Sequence, residues 1–162
     1  MSKIAILFPA FVRGYSGMES GFVNSMFPDF KSKLSLASGI IGSDLTSFDF
    51  ETHNFLDNEL NSQYISYIFC CELADKINKT QLSFDFTAGY SMGIYAMFYF
   101  TGSISWETGL KVIKKAFESV MQSIPSNTFG MGNIIGLDQS DVDLLVKDED
   151  AEVINVNGSH NF

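Results

Sequence analysis

The chain has 162 residues, of which 46% are hydrophobic and 14% are aromatic, and its formal net charge is −9. That is enough apolar material for the core of one domain, or part of one, and it excludes a disordered chain. The acidic balance argues against a nucleic-acid-binding protein, because the largest basic group is Lys111, Lys114 and Lys115. Their spacing is that of one helix face, which predicts a solvated surface, with a small basic patch for an acidic partner or phosphate as the alternative.

The cysteines and the apolar stretches indicate whether the chain binds a metal, lies in a reducing compartment or crosses a membrane. Cys70 and Cys71 are adjacent in an apolar run, so we expect buried, reduced thiols rather than a disulfide. No zinc-type spacing occurs, and the N-terminus lacks a signal-peptide pattern. The uncharged stretch from Phe86 to Trp106 is long enough to cross a bilayer, but three glycines interrupt it. The sequence therefore predicts a cytoplasmic protein without a metal site or a membrane partner.

The N-terminal 60 residues give one clear element. Lys3–Phe8 is a β-branched and aromatic run that ends at Pro9, which predicts a buried strand. The glycines in residues 10–21 predict a loop after it. Residues 22–60 are mixed and give only weak helical signals.

Stronger patterns follow along the chain. Gln63–Ile77 carries an apolar stripe at helical spacing, and Ser83–Ala88 reads as a second buried strand. Gly93–Phe100 and Ser105–Met121 read as helices, the second of which ends before Pro125. Strand and helix patterns thus alternate, as in an α/β sheet.

The C-terminal stretch has a pattern of its own. Gly132–Leu137 and Val153–Val156 are strand candidates, and Asp138–Lys147 between them has a helical start. This order predicts the beginning of a smaller βαβ-like unit.

One motif carries chemistry. Gly89-Tyr90-Ser91-Met92-Gly93 fits G-x-S-x-G, with a strand-like run before it and a helix-like run after it. The strand-to-helix turn is so tight that the serine adopts a strained backbone, and glycine at positions 89 and 93 avoids collisions there. Ser91 Oγ would then be exposed at a helix N-terminus, where negative charge is favoured. A chance match is the alternative, and the correct flanks argue against it.

Five segments in order carry a family resemblance. Phe86–Ala96 resembles the A-G-H-S-L-G-E-Y-A segment of malonyl-CoA:acyl carrier protein transacylases and related acyltransferase domains, and Ile6–Met18 resembles their F-P-G-Q-G-S-Q opening. Three shorter segments also resemble motifs of these proteins. Asn61–Gln63 resembles their T-Q-P motif, and Thr101–Ser105 resembles their A-G-x-I motif. Gly130–Asp138 resembles the M-A-A-I-I-G-L-D type strand that opens their small subdomain. Together they cover nearly the whole chain.

The resemblance implies an α/β-hydrolase-like core over residues 1–127 and the start of a ferredoxin-like subdomain over 128–162. It also implies a ping-pong reaction of fatty-acid or polyketide biosynthesis, in which Ser91 takes an acyl group from CoA and passes it to the phosphopantetheine thiol of an acyl carrier protein. The backbone N–H groups of Met92 and Phe11 would form the oxyanion hole. Acyl-CoA and the carrier protein would be substrates, and no cofactor would be bound.

Several family positions are altered. The histidine before the nucleophile is Tyr90, and the acid after the second glycine is Ile94. Counted without gaps, the arginine that pairs with the malonyl carboxylate falls on Ala116. Burying a carboxylate without a counter-charge costs several kcal/mol, so an uncharged acyl group fits better than malonyl.

The catalytic base is the open question. The resemblance places the family's histidine beyond residue 162, His53 reads as a surface residue, and His160 is a weak candidate because it stands where the family has a structural turn. Three hypotheses follow: the N-terminal piece or a degenerate copy of an acyltransferase, a serine hydrolase of acyl thioesters, and a non-catalytic docking subunit. An open sheet edge would predict aggregation, a homo-oligomer or a complementing polypeptide.

Overall fold

The computed structural model describes residues 3–10, 18–50, 58–80, 82–123 and 130–159. The elements in these ranges are β1 (Ala5–Phe8), α1 (Met18–Met26), α2 (Phe30–Ile41), α3 (Glu59–Asn78), β2 (Phe86–Gly89), α4 (Gly93–Phe100), α5 (Trp106–Ser123) and α6 (Gln139–Val146). The chain forms two compact units, Met1–Gln122 and Ser123–Phe162. The predicted domain boundary at 127/128 lies outside the described residues and stays a prediction.

The two strands form a parallel pair. Ala5 is opposite Phe86, and Phe8 is opposite Gly89. Parallel strands need a long crossover connection, and here α1, α2 and α3 lie between them in the sequence. Backbone hydrogen bonds extend the pairing at both ends. Ile4 O accepts from the N–H groups of Asp85 (2.9 Å) and Phe86 (3.3 Å), and Phe8 O accepts from the N–H of Tyr90 (2.9 Å).

Helix α3 lies at the centre of the first unit. The side chain of Asn58 caps it by accepting a hydrogen bond from the N–H of Asn61 at 3.0 Å. Much of its length is buried, including Tyr64, Ile65 and Ile68. Half-buried Phe69 on the same helix joins an aromatic cluster whose other members are Phe27, Phe30, Phe48 and Phe50. Edge-on contacts of this kind add to the stabilisation from burial alone.

A partly buried charged network joins α2 to α3 and α4. Lys33 pairs with Glu72, its Nζ lies 3.4 Å from an Asp75 carboxylate oxygen, and Tyr99 donates a hydrogen bond of 2.8 Å to Asp75. Burial acts to lower the pKa of Lys33, but Glu72 and Asp75 outweigh it and raise that pKa above its usual value. Two carboxylates thus hold the lysine charged among buried side chains.

The structure confirms the stronger sequence predictions. The predicted helices over Gln63–Ile77, Gly93–Phe100 and Ser105–Met121 correspond to α3, α4 and α5, and the two predicted strands are present as β1 and β2. Their predicted burial was wrong: of the eight residues in β1 and β2 only Phe8 is buried, because no described layer covers one face of the pair. Cys70 and Cys71 are free thiols, and burial raises the pKa of Cys70 to about 11.

Three other predictions were wrong. Helix α1 begins at Met18, inside the loop predicted over residues 10–21, because burial of side chains such as Val23 overrides a weak local preference, whereas α2 lies in the stretch that gave weak helical signals. In the second unit neither Gly132–Leu137 nor Val153–Val156 is a strand, and only Ile135 forms an isolated bridge in the first of them. Apolar side chains there stay exposed, 74% for both Ile135 and Ile154, so no described sheet partner covers them.

The basic trio needs a further correction. Lys111 and Lys115 are exposed as predicted, but Lys114 is half-buried and donates a hydrogen bond of 2.8 Å to the carbonyl oxygen of Ile41. That carbonyl lies in the last turn of α2, which ends at Gly42 with φ of 72°. A lysine at this position satisfies a free carbonyl and complements the helix dipole.

We predict that Gly109→Ala destabilises the protein although alanine favours helices. A Cβ at this position would lie 2.0 Å from the Tyr67 hydroxyl oxygen and 2.4 Å from its Cζ, and a hydrogen bond of 3.1 Å to the Trp106 carbonyl fixes that ring. We expect a loss of about 1–3 kcal/mol in the free energy of unfolding, measured by urea denaturation. The matched control is Gly39→Ala on α2, where nothing lies near the new Cβ and a gain of up to about 1 kcal/mol is expected. Equal effects at both positions would contradict this packing.

Candidate active site

The turn between β2 and α4 has the strained geometry that the motif predicts. Strand β2 ends at Gly89, helix α4 begins at Gly93, and Ser91 lies between them with φ of 51°. Among the described residues it is the one non-glycine residue with positive φ. Such a conformation costs about 1–3 kcal/mol and persists only where the surroundings enforce it. The Ser91 side chain is exposed, as a nucleophile must be.

The two motif glycines allow this turn because no side chain fits at either position. A Cβ on Gly89 would lie 2.5 Å from both the backbone N and the Cα of Ile94. A Cβ on Gly93 would lie 2.3 Å from the carbonyl oxygen of Phe8 and 2.4 Å from that of Pro9. These obstacles are backbone atoms, so a side-chain rotation cannot relieve the clash.

Backbone hydrogen bonds hold the turn from both sides. The N–H of Tyr90 donates to Phe8 O at the end of β1, and the N–H of Gly93 donates to Tyr90 O, each at 2.9 Å. The N–H of Ile94 donates to Ser91 O at 3.2 Å. The serine backbone is therefore held between the end of one strand and the first turn of α4.

Met92, one of the two predicted oxyanion-hole donors, lies at the start of α4. Met92 directly precedes α4, and no hydrogen bond from its N–H to another described residue is present. A free N–H at a helix N-terminus can stabilise negative charge on an oxygen bound beside Ser91. Phe11, the second predicted donor, lies outside the described residues, so its role stays a prediction.

A small crevice borders the turn. It has a volume of about 10 Å³, with room for about one water molecule. The side chains that line it from α3 include Gln63, Ser66, Tyr67 and Cys70. Sequence analysis singled out Gln63 only as part of a short motif and did not place Ser66 near the nucleophile. The helical spacing of 63, 66, 67 and 70 was the signal that could have found this face.

The structure does not test the remaining site predictions. Ala116 is half-buried on α5, and no described contact joins it to the turn. His53 and His160 both lie outside the described residues, so the identity of the base stays open. A larger cavity of about 280 Å³ lies between α1, α2 and residues 48–50, and none of the motif residues 89–93 lines it.

Two further findings concern only the part of the chain that the structure describes. No group of three or more His, Cys, Asp or Glu side chains there could hold a metal ion. No helix in those ranges is both long enough and apolar enough to cross a membrane.

Comparison with known proteins places this geometry in context. No protein-family model matches the chain. The chain is 25% identical over 162 residues to the polyketide biosynthesis malonyl CoA-acyl carrier protein transacylase PksC of Bacillus subtilis, a match covering 97% of this chain and 54% of that protein. Among solved structures, the malonyl CoA-acyl carrier protein transacylase of Coxiella burnetii superposes with a TM-score of 0.80 at 20% identity, over 99% of this chain and 52% of that one.

A third match is a type II polyketide acyl-carrier protein in complex with its malonyl-transacylase, with a TM-score of 0.77 at 21% identity over 91% of this chain and 48% of that chain. The chain has the α/β fold of these transacylase structures, which confirms the predicted fold class. The resemblance to the malonyl-CoA:acyl carrier protein transacylases, which the motifs predicted, is confirmed as well. The chain spans about half the length of the curated relatives it matches.

We predict that Gly93→Ala abolishes covalent labelling of Ser91 by a fluorophosphonate. The new Cβ would push α4 away from the Phe8 and Pro9 carbonyls, so the serine would leave its strained position. Gly39→Ala, the same substitution at an open helical position, should label like the unmodified protein. Mass spectrometry of the labelled peptide measures both. Undiminished labelling of Ser91 in Gly93→Ala would show that its reactivity does not depend on this turn.

Proposed function

We propose that the chain is the Ser91-bearing part of an acyltransferase of fatty-acid or polyketide biosynthesis. In this proposal Ser91 takes an acyl group from a CoA thioester and passes it to the phosphopantetheine thiol of an acyl carrier protein. The observation that carries the proposal is the exposed Ser91 at φ of 51°, next to the N–H of Met92, which has no hydrogen-bond partner among the described residues. The names of the relatives, which are malonyl-CoA:acyl carrier protein transacylases, support the substrate classes.

The proposed reaction has two halves. Ser91 Oγ attacks the thioester carbonyl and gives its proton to a general base, while the N–H of Met92 donates to the oxyanion of the tetrahedral intermediate. The intermediate collapses to acyl-Ser91, and CoA leaves as the thiol after it takes up a proton. The carrier-protein thiol then attacks acyl-Ser91 by the same path and regenerates the serine. Phe11 is proposed as the second oxyanion donor, and His160 is a weak candidate for the base.

The domain proposal follows from the same resemblance. Residues 1–127 would form the N-terminal portion of the acyltransferase core, and residues 128–162 the start of the small subdomain. Residues 1–127 contain β2, Ser91 and α4, which make up the serine turn. Residues 128–162 contain one described helix, α6, in which only Val142 is buried.

The alanine at position 116 affects which acyl group the proposed enzyme would accept. Its methyl group offers neither charge nor hydrogen-bond donor, and burying a carboxylate without a counter-charge is costly. If residue 116 faces the acyl group as the resemblance implies, an uncharged acyl group such as acetyl is favoured over malonyl. The same lack of an arginine favours a second candidate function, hydrolysis of neutral acyl thioesters, in which water replaces the carrier-protein thiol.

We predict that incubation with acetyl-CoA yields one acylated residue, Ser91, detected as a mass increase on its peptide. Ser91→Ala should abolish the adduct, and Ser35→Ala, at an exposed position on α2, should not change it. Addition of a phosphopantetheinyl carrier protein should move the acetyl group to its thiol. Release of free acetate at the same rate with and without the carrier protein would favour the hydrolase. An adduct that persists in Ser91→Ala would overturn the proposal.

We also predict that Ala116→Arg raises the use of malonyl-CoA relative to acetyl-CoA by about tenfold or more, because it supplies a charge-assisted partner for the carboxylate. The control Ala116→Met adds length without charge and should leave the ratio of kcat/KM values low. Competition between the two donors, read as acyl-Ser91 masses, measures the ratio. A preference for malonyl in the unmodified protein would contradict the role given to this position.

A further inference from the structure

Helix α4 has the serine turn at one end and a hydrogen-bonded tyrosine near the other. It begins at Gly93, two residues after Ser91, and Tyr99 lies in its last turn. The Tyr99 hydroxyl donates a hydrogen bond of 2.8 Å to Asp75 on α3. Among the described residues this is the one side-chain hydrogen bond that α4 makes to another element. The stretch from Phe86 to Trp106 contains no charged residue, so the other side-chain contacts of α4 are packing contacts.

Asp75 uses both oxygens of its carboxylate. Oδ1 accepts from Tyr99, and Oδ2 lies 3.4 Å from Nζ of Lys33 on α2. Lys33 also pairs with the buried Glu72, three residues before Asp75 on α3. Burial and the hydrogen bond to Asp75 raise the pKa of Tyr99, so the hydroxyl keeps its proton and acts as the donor. Lys33 therefore holds one oxygen of Asp75 while the other faces α4.

Stability alone is a weak reason for this arrangement. A buried ion pair can often be replaced by apolar side chains without loss of stability. Helix α4 already packs against α3 and, through the Phe8 and Phe100 rings 5.5 Å apart, against β1. Apolar packing has no preferred direction, whereas a hydrogen bond fixes the rotation of a helix and its position along a neighbour. Because Gly93 lies against the Phe8 and Pro9 carbonyls, a small shift of α4 would alter the serine turn.

We propose that Tyr99 and Asp75 are positioning residues for the serine turn. Their hydrogen bond fixes α4 on α3, and α4 in turn holds Ser91 at φ of 51°. Both residues act through α4. The geometric part of this inference stands independently of acyl transfer, and only its effect on the reactivity of Ser91 rests on the proposed function.

The first test measures the turn itself in the full 162-residue chain. Tyr99→Phe removes only the hydroxyl, and it should make amide hydrogen exchange at Tyr90 and Gly93, followed by NMR, at least about tenfold faster. The matched control is Tyr95→Phe on the same helix, since no hydrogen bond from the Tyr95 hydroxyl to a described residue is present, and it should leave this exchange unchanged. Ile113→Val, at a buried position on α5, controls for stability: it should lower the urea midpoint without selectively loosening the turn.

The second test combines rescue with reactivity. Asp75→Leu should reproduce the effect of Tyr99→Phe, and the double variant should be no worse than either single one, because both remove the same hydrogen bond. Asp75→Asn keeps an acceptor oxygen and should stay within about twofold of the unmodified protein. With a fluorophosphonate, Tyr99→Phe should lower the maximum rate of Ser91 labelling about fivefold or more at an unchanged half-saturating concentration.

The outcomes separate this inference from the proposed function. If Tyr99→Phe matches Tyr95→Phe in exchange and in labelling, the inference is overturned and the proposed function stands. If exchange at the turn accelerates but even the unmodified protein takes no label, the inference stands and the proposed function fails. Equal loosening of the turn by Ile113→Val would show an effect of stability alone and would overturn the inference. Undiminished labelling despite faster exchange would overturn the link from α4 to Ser91.

Discussion

The close approach of α4 to the end of β1 is the constraint on which the rest of the site depends. At Gly93 the helix backbone lies so near the carbonyl oxygens of Phe8 and Pro9 that even a methyl group would overlap them. This contact fixes where α4 begins, and the start of α4 fixes how much chain is left to connect it to β2. Three residues remain, and the middle one, Ser91, takes a backbone conformation that it would not adopt alone.

The hydrophobic core of the first unit holds α4 against the end of β1. Helix α3 packs against α4, and its buried face also meets α5 at Gly109 and the aromatic cluster next to α2. Lys33, Glu72, Asp75 and Tyr99 add a polar connection among α2, α3 and α4. Because the strain at Ser91 is a few kcal/mol at most, a core of this size is more than enough to maintain it.

Features that depend on neighbours in sequence could be predicted, and features that depend on distant partners could not. The serine turn follows from five consecutive residues, so its strain was foreseeable from Gly89 and Gly93 alone. Position 93 has no room for a side chain partly because the carbonyl oxygen of Phe8 lies against it. Phe8 is more than 80 positions earlier in the sequence, so no local pattern around Gly93 can reveal this contact. The same limit explains why the start of α1 was predicted as a loop and why Gly132–Leu137 was wrongly predicted as a strand, since burial decides both. From the sequence alone Lys114 is expected to be a surface lysine, and only the fold shows that its side chain reaches the end of α2. The role of Ala116 and the histidines stays a prediction, because no described contact tests it.

The parallel pairing of β1 with β2 has a consequence for the order in which the site forms. Ile4 and Asp85 are hydrogen-bonded across 81 positions, so the ladder closes a loop that contains three helices. Closing such a loop is entropically costly and slow unless the intervening chain is already compact. During synthesis β1 has no partner until β2 leaves the ribosome, by which time the residues of α3 have already been made. The strained turn at Ser91 is therefore ordered only after β1 and β2 have paired, and a chain that stops before α4 never forms it.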